Sequence, residues 1–234
     1  MNGKMIVFDG NSILNRAYYG VRPLNTKDGF PTNALFGFVN ILQKNLAPGY
    51  DYAAIAYDLR EKTFRHIRCD TYKATRRPMP EDLAKQLPVS KEIAELMGLH
   101  VLTAAGFEAD DILGTLSRIA KENDVECVIV TGDRDSYQLV CDGVAVHLAA
   151  NNETRIIDTK AIDEMYGLTP SQLIDLKAVM GDSSDNISGV PGIGEKGALE
   201  LMHQYGSLDG IYAHIDEIKG GKKTKLENGR EDAY

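Results

Sequence analysis

The stretch Val125-Glu-Cys-Val-Ile-Val-Thr-Gly-Asp-Arg-Asp135 joins a continuous apolar run to two carboxylates. A short apolar run that is rich in β-branched residues and closed by glycine predicts a buried strand. The same pattern occurs from Met5 to Phe8 and from Tyr52 to Tyr57, and these runs stop at Asp9 and Asp58. Three predicted strands therefore each lead into an aspartate.

Helical patterns lie between the predicted strands. Apolar residues recur at helical spacing from Asn33 to Leu46, from Ser90 to Met97 and from Asp110 to Ala120. Further short strands are predicted from Leu99 to Leu102 and from Val144 to Leu148. This alternation predicts an α/β fold with a mostly parallel sheet flanked by helices. In such sheets, ligands bind beyond the carboxyl ends of the strands.

Nine acidic residues stand near the ends of apolar runs and form five short clusters. They are Asp9, Asp58, Glu108 with Asp110 and Asp111, Asp133 with Asp135, and Asp182 with Asp185. Two carboxylates about 4 Å apart repel by roughly 4 kcal/mol at an effective dielectric of about 20, so converging acids need a cation. Hard divalent cations take oxygen ligands, and a pair of them promotes phosphodiester cleavage. The pattern therefore predicts a two-metal site.

Each acidic cluster taken alone also has a structural explanation. The Glu108-Ala-Asp-Asp111 cluster precedes a helix, whose N-terminus favours acids. Asp133 and Asp135 fit a polar turn, although in extended backbone their side chains would point to the same side. Asp182 and Asp185 lie near the end of a helical run and fit turn chemistry. The metal interpretation depends on all nine residues together.

The segment from Arg60 to Leu87 interrupts the alternation of strands and helices. Its prolines predict a departure from the core. Between Arg60 and Arg77, seven Lys or Arg residues stand against two acids, and Phe64 and Tyr72 lie among them. Basic side chains neutralise phosphates and aromatic rings stack on unpaired bases, so the segment predicts nucleic-acid binding. A solvated charged surface is the alternative.

The strand pattern ends after about Asp163, and the remaining sequence is predicted to be helical. A helix should start at Thr169-Pro-Ser-Gln172, with threonine as its cap and proline in its first position. The glycine-rich turn Gly189-Val-Pro-Gly-Ile-Gly194 leads into a helix from Glu195 to Tyr205. Backbone N–H groups there can cradle a phosphate, which would explain Lys196 in the first turn. A turn that only joins two helices is the alternative.

The overall charge of −8 at first disfavours a nucleic-acid partner, but bound metal would neutralise the acids. A second basic stretch comprises Lys219, Lys222, Lys223, Lys225 and Arg230. The three cysteines lack C-x-x-C spacing, which disfavours a disulfide framework and a zinc knuckle. Neither a signal peptide nor a membrane span is predicted. A cytoplasmic protein without a membrane partner is expected.

The motifs resemble, in the same order and over nearly the whole chain, those of the bacterial 5′ nuclease family. This family includes the 5′→3′ exonuclease domain of DNA polymerase I and the flap endonucleases. The motifs are VFDGNS (7–12), FRH (64–66), YKATR (72–76), GFEADD (106–111), VTGDRDSYQL (130–139), AVMGDSSDN (178–186) and GVPGIGEK (189–196).

The resemblance implies two domains. Residues 1–165 would form a PIN-like catalytic core with a helical arch at about 60–90, and 166–234 a helix–three-turn–helix DNA-binding region that ends before the family's usual boundary. The nine acids would bind two Mg²⁺ or Mn²⁺ ions, and Lys73 and Arg76 would be catalytic at the scissile phosphate. A potassium ion is implied at the 189–194 hairpin. The implied DNA-binding residues are Tyr72, Arg77, Gly189, Val190, Gly192, Ile193, Gly194 and Lys196.

The function implied by the resemblance is hydrolysis of phosphodiesters near single-strand/duplex junctions, for primer removal and DNA repair. The implied partners are DNA with a 5′ flap or junction and an RNA primer in an RNA–DNA hybrid. A monomer is expected, with a polymerase domain on the same native chain. Three other functions are less well supported. A PIN-type ribonuclease would lack the glycine hairpin and basic arch, a non-catalytic junction binder would have lost acids, and a receiver-like phosphotransfer domain would not need Asp182 and Asp185.

Overall fold

The computed structural model of the chain describes residues 2–149 and 154–233. Met1 and Tyr234, the outer ends of the two predicted domains, lie outside the described residues. The chain forms two compact units, Met1–Phe64 with Pro78–Asp158 and Arg65–Arg77 with Thr159–Tyr234. The basic residues 65–77 thus group with the second unit, whereas the family resemblance implies that they belong to the first domain.

The first unit is built on a six-stranded sheet. In chain order the strands are β1 (Lys4–Asp9), β2 (Tyr52–Ala56), β3 (His100–Leu102), β4 (Glu126–Thr131), β5 (Val144–Ala149) and β6 (Thr154–Ile157). Their spatial order is β3-β2-β1-β4-β5-β6. The first five strands pair in parallel, and β6 pairs antiparallel with β5. The predicted mostly parallel sheet is confirmed, and β6 is an addition to it.

Helices alternate with the strands of the first unit and continue through the second. In chain order they are α1 (Gly10–Gly20), α2 (Asn33–Leu46), α3 (Phe64–Arg68), α4 (Glu81–Leu96), α5 (Ala109–Glu122), α6 (Thr159–Tyr166), α7 (Gln172–Met180), α8 (Glu195–Tyr205), α9 (Leu208–Ala213), α10 (Gly221–Asn228) and α11 (Arg230–Ala233). Short 3₁₀ helices span Arg134–Leu139 and Ile215–Glu217. Among the residues described, every helix is too short or too polar to cross a bilayer.

The core of the first unit explains why β1 and α2 form where the sequence predicts them. Phe8 on β1 and Phe38 on α2 are fully buried in one apolar cluster, together with Leu42 on the same face of α2. Burial of one such side chain contributes about 2–3 kcal/mol. Because β1 is central in the sheet, this packing also fixes the position of the residues that follow it.

Helix α4 includes residues 81–87, which the sequence pattern predicts to lie outside the core. It begins at Glu81 rather than near Ser90, and it carries Pro88 inside the helix. Gln86 is fully buried, and its Oε1 accepts the Leu35 N–H at 3.1 Å. That N–H lies in the first turn of α2, where intrahelical acceptors are missing. Packing therefore outweighs the backbone hydrogen bond that proline removes, and the first half of α4 contributes Leu83 and Gln86 to the core.

The start of α7 also differs from the prediction. The helix begins at Gln172, so Pro170 lies in the preceding turn and not in the first helical position. Thr169 donates its N–H to Gln172 Oε1 at 2.8 Å instead of capping through its hydroxyl. The next helix of the unit, α8, spans Glu195–Tyr205 as predicted.

Candidate metal centre and phosphate-binding segments

Asp9 ends β1 and is the N-cap of α1. Its Oδ1 accepts the Ser12 N–H and its Oδ2 accepts the Thr131 hydroxyl, both at 2.9 Å. Burial raises the pKa of Asp9 to about 6; the two hydrogen bonds oppose this shift, while the nearby Asp58 and Asp133 add to it. A negative charge is thus held where the protein does not stabilise it fully, and a cation would do so.

Asp58 follows β2 and is tied to two other segments of the first unit. Its N–H donates to Asn11 Oδ1 at 3.0 Å, and its Oδ1 accepts the Ala109 N–H at 2.7 Å. The Ala109 N–H belongs to the first turn of α5, which lacks intrahelical acceptors. In the same turn, Asp111 Oδ2 accepts the Glu108 N–H at 2.9 Å. The helix-capping role of these acids is therefore real in this structure.

Asp133 lies two residues beyond the end of β4 and caps the following 3₁₀ helix. Its N–H donates to Thr131 Oγ1 at 3.0 Å, and its Oδ1 accepts the Asp135 N–H at 2.9 Å. Asp135 is already helical, so the backbone after Asp133 is not extended, and the alternative of a polar turn describes it better. The Thr131 hydroxyl joins Asp9 and Asp133, because it donates to the first and accepts from the backbone of the second.

The three strand-end aspartates of the first unit share one edge of the sheet. Asp9, Asp58 and Asp133 follow β1, β2 and β4, which are neighbours in the order β2-β1-β4. In the described parts of the chain, no group of three or more His, Cys, Asp or Glu side chains is close enough to hold a metal ion. The carboxylates of Asp9, Asp58 and Asp133 accept hydrogen bonds from backbone N–H groups and, at Asp9, from a hydroxyl. An all-oxygen donor set with a buried, destabilised charge at Asp9 nevertheless fits a hard divalent cation.

In the second unit, three predicted substrate-binding side chains converge on Asp185. The Tyr72 hydroxyl donates to Asp185 Oδ2 at 3.2 Å, and the Arg76 guanidinium donates to Oδ1 at 2.5 Å. Lys73 Nζ lies 3.8 Å from Oδ2, and the Lys73 N–H donates to the Asp185 carbonyl at 2.8 Å. Tyr72 and Asp185 are both buried. The structure thus brings the catalytic candidates Lys73 and Arg76 to one of the predicted metal-binding acids.

Asp182 has partners of its own in the second unit. Its Oδ2 lies 2.5 Å from Lys177 Nζ, and its Oδ1 accepts the N–H and the hydroxyl of Ser184. Partial burial raises the pKa of this carboxyl, but the hydrogen bonds from Lys177 and Ser184 outweigh it and hold the pKa at about 2. Asp182 is therefore a stable carboxylate in this structure.

The glycine-rich hairpin is anchored by apolar side chains. Val190 is 2% exposed and Ile193 is 6% exposed, and their N–H groups already donate to the Val179 and Val190 carbonyls, so neither residue offers a free donor to a ligand. Gly192, Gly194 and Lys196 are exposed. Of the predicted DNA-binding residues in the hairpin, Gly192, Gly194 and Lys196 therefore offer surface, Gly189 is half-buried, and the two apolar residues act as anchors. Arg77, predicted in the basic segment, is also exposed.

The hairpin depends on a close approach of the Gly189 backbone to the Gly181 backbone. A Cβ on Gly189 would lie 2.1 Å from the Gly181 backbone nitrogen, whereas a Cβ on Gly194 would meet nothing within 4 Å. We expect Gly189→Ala to destabilise the protein by about 3 kcal/mol, as overpacking does. Gly194→Ala is the matched control and should change the denaturation midpoint little. Equal midpoints for both variants in urea would contradict the close approach of Gly189 to Gly181.

Several residues that organise the site are not singled out by the sequence. Ser12 and Thr131 orient Asp9, and Asn11 holds the backbone of Asp58. A cavity of about 420 Å³ also opens beside Ser12 and Gly132. Its lining is Ser12, Asn15, Arg16, Tyr19, Gly20 and Gly132. Hydroxyl and amide residues within three positions of a strand-end aspartate are the local signal that points to Asn11, Ser12 and Thr131.

Comparison with protein families matches both parts of the chain. Residues 4–167 match the 5′-3′ exonuclease N-terminal resolvase-like domain, and residues 168–234 match the 5′-3′ exonuclease C-terminal SAM fold. DNA polymerase I of Caldicellulosiruptor bescii is 40% identical, over 99% of this chain and 28% of that protein. DNA polymerase I of Bacillus subtilis is 38% identical, over 98% of this chain and 27% of that protein. The chain thus spans little more than a quarter of these relatives.

Solved structures share the fold at lower sequence identity. A bacteriophage T5 flap endonuclease in a pseudo-enzyme-product complex with DNA and metal ions is 22% identical, with a TM-score of 0.79 over 98% of this chain and 86% of that chain. The catalytic core of Rad2 in complex with a DNA substrate is 18% identical, with a TM-score of 0.61 over 97% of this chain and 73% of that chain. These similarities confirm the predicted fold class.

Proposed function

Because this chain belongs to the 5′-3′ exonuclease family, we propose that it is a structure-specific 5′ nuclease. It hydrolyses phosphodiesters near the 5′ end of a DNA strand, at junctions between single strand and duplex. The observation that carries the proposal is the set of aspartates at the ends of β1, β2 and β4, with Asp9 buried and its pKa raised. The 5′-3′ exonuclease family models that match residues 4–167 and 168–234 support the same activity.

The proposed cofactors are two divalent cations, Mg²⁺ or Mn²⁺. When bound, such ions supply Lewis-acid stabilisation and lower the pKa of a water molecule. The residues proposed as their ligands are Asp9, Asp58, Glu108, Asp110, Asp111, Asp133, Asp135, Asp182 and Asp185. Ser12 and Thr131 would keep the Asp9 carboxylate oriented, since each already holds one of its oxygens. The T5 relatives include structures that contain metal ions.

Lys73 and Arg76 are proposed to stabilise the charge that develops on the scissile phosphate. Both now contact the Asp185 carboxylate, and phosphate oxygens are equivalent anionic acceptors for them. Tyr72 is proposed to stack on a displaced base. Its ring is buried and its hydroxyl donates to Asp185, so stacking requires the side chain to turn outwards.

Duplex DNA is proposed to bind through its phosphates. The proposed contacts are Arg77, Lys196 and the hairpin. Within the hairpin, the exposed Gly192 and Gly194 would approach the phosphates, while Gly189, Val190 and Ile193 would hold the shape of the turn. This binding should be blind to sequence and should weaken steeply with salt, because cations are released from the phosphates. A potassium ion on the hairpin carbonyls fits less well, because the Gly192 carbonyl already accepts a hydrogen bond from Lys225 Nζ.

The biological setting is part of the proposal. We propose two domains, 1–165 and 166–234, that act as a cytoplasmic monomer with a polymerase domain on the same native chain. The relatives named DNA polymerase I support this last point. Primer removal and DNA repair are the proposed roles, with 5′ flaps and RNA–DNA hybrids as substrates. A PIN-type ribonuclease is disfavoured by the hairpin and by the basic segment 65–77.

A cleavage assay tests the proposed function directly. A duplex with a labelled 5′ flap is incubated with the protein and Mg²⁺ or Mn²⁺, and the products are sized. We expect cutting at or within a few nucleotides of the junction, and none in EDTA. The matching single strand and the unbranched duplex serve as controls. The absence of metal-dependent cutting at the junction would refute the proposal for this chain.

A further inference from the structure

A lysine side chain of the protein contacts a backbone carbonyl of the glycine hairpin. In the second unit, Lys225 on α10 donates from Nζ to the Gly192 carbonyl at 2.8 Å. Gly192 has a φ of +79°, and a Cβ there would lie 3.0 Å from Lys225 Cε. Glycine is therefore favoured at this position by its backbone conformation, and the lysine side chain lies directly against it.

Packing fixes α10 against the hairpin, so the lysine contact does not depend on a flexible side chain alone. Leu226 is fully buried, and its carbonyl accepts the Tyr212 hydroxyl at 3.1 Å. A Cβ on Gly229 would lie 2.6 Å from Pro191 Cδ, which shows how closely the end of α10 approaches the hairpin. The position of Lys225 follows from this register.

The neighbouring lysines on α10 behave differently. Lys222 forms an ion pair with Glu200, and Lys223 pairs with Asp216. Lys225 contacts no carboxylate within the described part of the chain, and its ammonium is used on a backbone carbonyl instead. Its positive charge is therefore not cancelled locally and adds to the field at the exposed end of the hairpin.

We propose that Lys225 is the built-in monovalent cation of the hairpin and a positioning residue for duplex binding. The ammonium holds the Gly192 carbonyl and orients the turn. The positive charge of Lys225 is thereby placed beside the exposed Gly192 and Gly194, where a duplex phosphate would approach. A potassium ion on the same carbonyl would be repelled by the ammonium. The hairpin of this protein therefore needs no potassium. The proposal rests on the proposed function only in taking duplex DNA as the ligand.

Thermal melting tests the assignment without DNA. Lys225→Met keeps an unbranched side chain that is one atom shorter and removes the charge. Lys223→Met makes the same change at a residue that pairs with Asp216 instead of the hairpin. Each protein is melted in KCl and in tetramethylammonium chloride at equal ionic strength. We expect the Lys225→Met protein alone to melt about 3 °C higher in KCl, because potassium then takes the vacated position. Equal midpoints for Lys225→Met in the two salts would overturn the assignment.

Duplex binding gives the second measurement, by fluorescence anisotropy with EDTA present. We expect the unmodified protein to bind equally in the two salts. Lys225→Met should bind about tenfold more weakly in tetramethylammonium, because the hydrogen bond from the ammonium to the Gly192 carbonyl is lost. Binding should recover in KCl, because a potassium ion then contacts that carbonyl. Lys225→Arg should retain binding in both salts. A potassium requirement in the unmodified protein would overturn the proposal. If none of the proteins binds duplex, the proposed function fails, and the melting experiment still decides the role of Lys225.

Discussion

Replacing Asp9 by asparagine should have opposite effects on activity and on stability. Flap cleavage should fall by about 10³-fold, equivalent to roughly 4 kcal/mol of transition-state stabilisation, because a metal ligand is lost. In EDTA at neutral pH, the variant should be more stable by about 2 kcal/mol, because the buried Asp9 carboxylate, with its pKa raised to about 6, is replaced by a neutral group of the same shape. Asparagine can still accept the Ser12 N–H.

Asp9→Asn should stabilise the protein because the pKa of Asp9 is raised rather than lowered. Because the pKa of Asp9 is higher in the folded than in the unfolded protein, ionisation opposes folding above that pKa. The advantage of asparagine should therefore be complete above about pH 6 and should vanish as the pH falls towards 4. Asp142→Asn, at an exposed residue, is the matched control. A variant that is less stable than the unmodified protein in EDTA would contradict the account of Asp9.

Replacing Lys73 by alanine should lower the cleavage rate far more than it lowers DNA affinity. Removing one preorganised hydrogen-bond donor that stabilises a transition state lowers kcat by about 10²–10³-fold. Losing one phosphate contact among many should weaken binding by less than tenfold. Single-turnover cleavage of a flap duplex gives the rate, and anisotropy in Ca²⁺ gives the affinity.

Lys85→Ala provides the comparison for Lys73. Lys85 pairs with Glu81 on the exposed surface of α4. Its loss should therefore change neither the cleavage rate nor the affinity for DNA. Equal losses of rate and affinity in Lys73→Ala would make Lys73 a phosphate clamp rather than a catalytic residue. Unchanged rates would mean that its contact with Asp185 only supports the fold.

Strand ends and the order of the motifs were predictable because their signals are local. An apolar run that stops at an aspartate places Asp9 and Asp58 at the edge of a parallel sheet, and the observed topology agrees. Helices α2 and α8 have the predicted bounds because their apolar spacing and flanking turn residues agree. In these elements, local preference and tertiary packing favour the same conformation.

The departures occur where distant contacts override a local rule. Pro88 predicts a break, yet the burial of Gln86 holds α4 together across it. Asp135 is the exception, because the contact that draws it into a 3₁₀ helix is local: its N–H donates to the Asp133 carboxylate. The contact between Arg76 and Asp185 joins residues 109 positions apart, and no local pattern encodes such a pairing.

Anomalous diffraction from crystals soaked in Mn²⁺ would show whether the carboxylates of this chain share divalent cations. We expect two peaks about 3.5–4 Å apart, with oxygens of Asp9 and Asp133 among their ligands. Mn²⁺ bound only elsewhere, with Asp9 still held by Ser12 and Thr131 and Asp133 still capping its helix, would contradict this expectation.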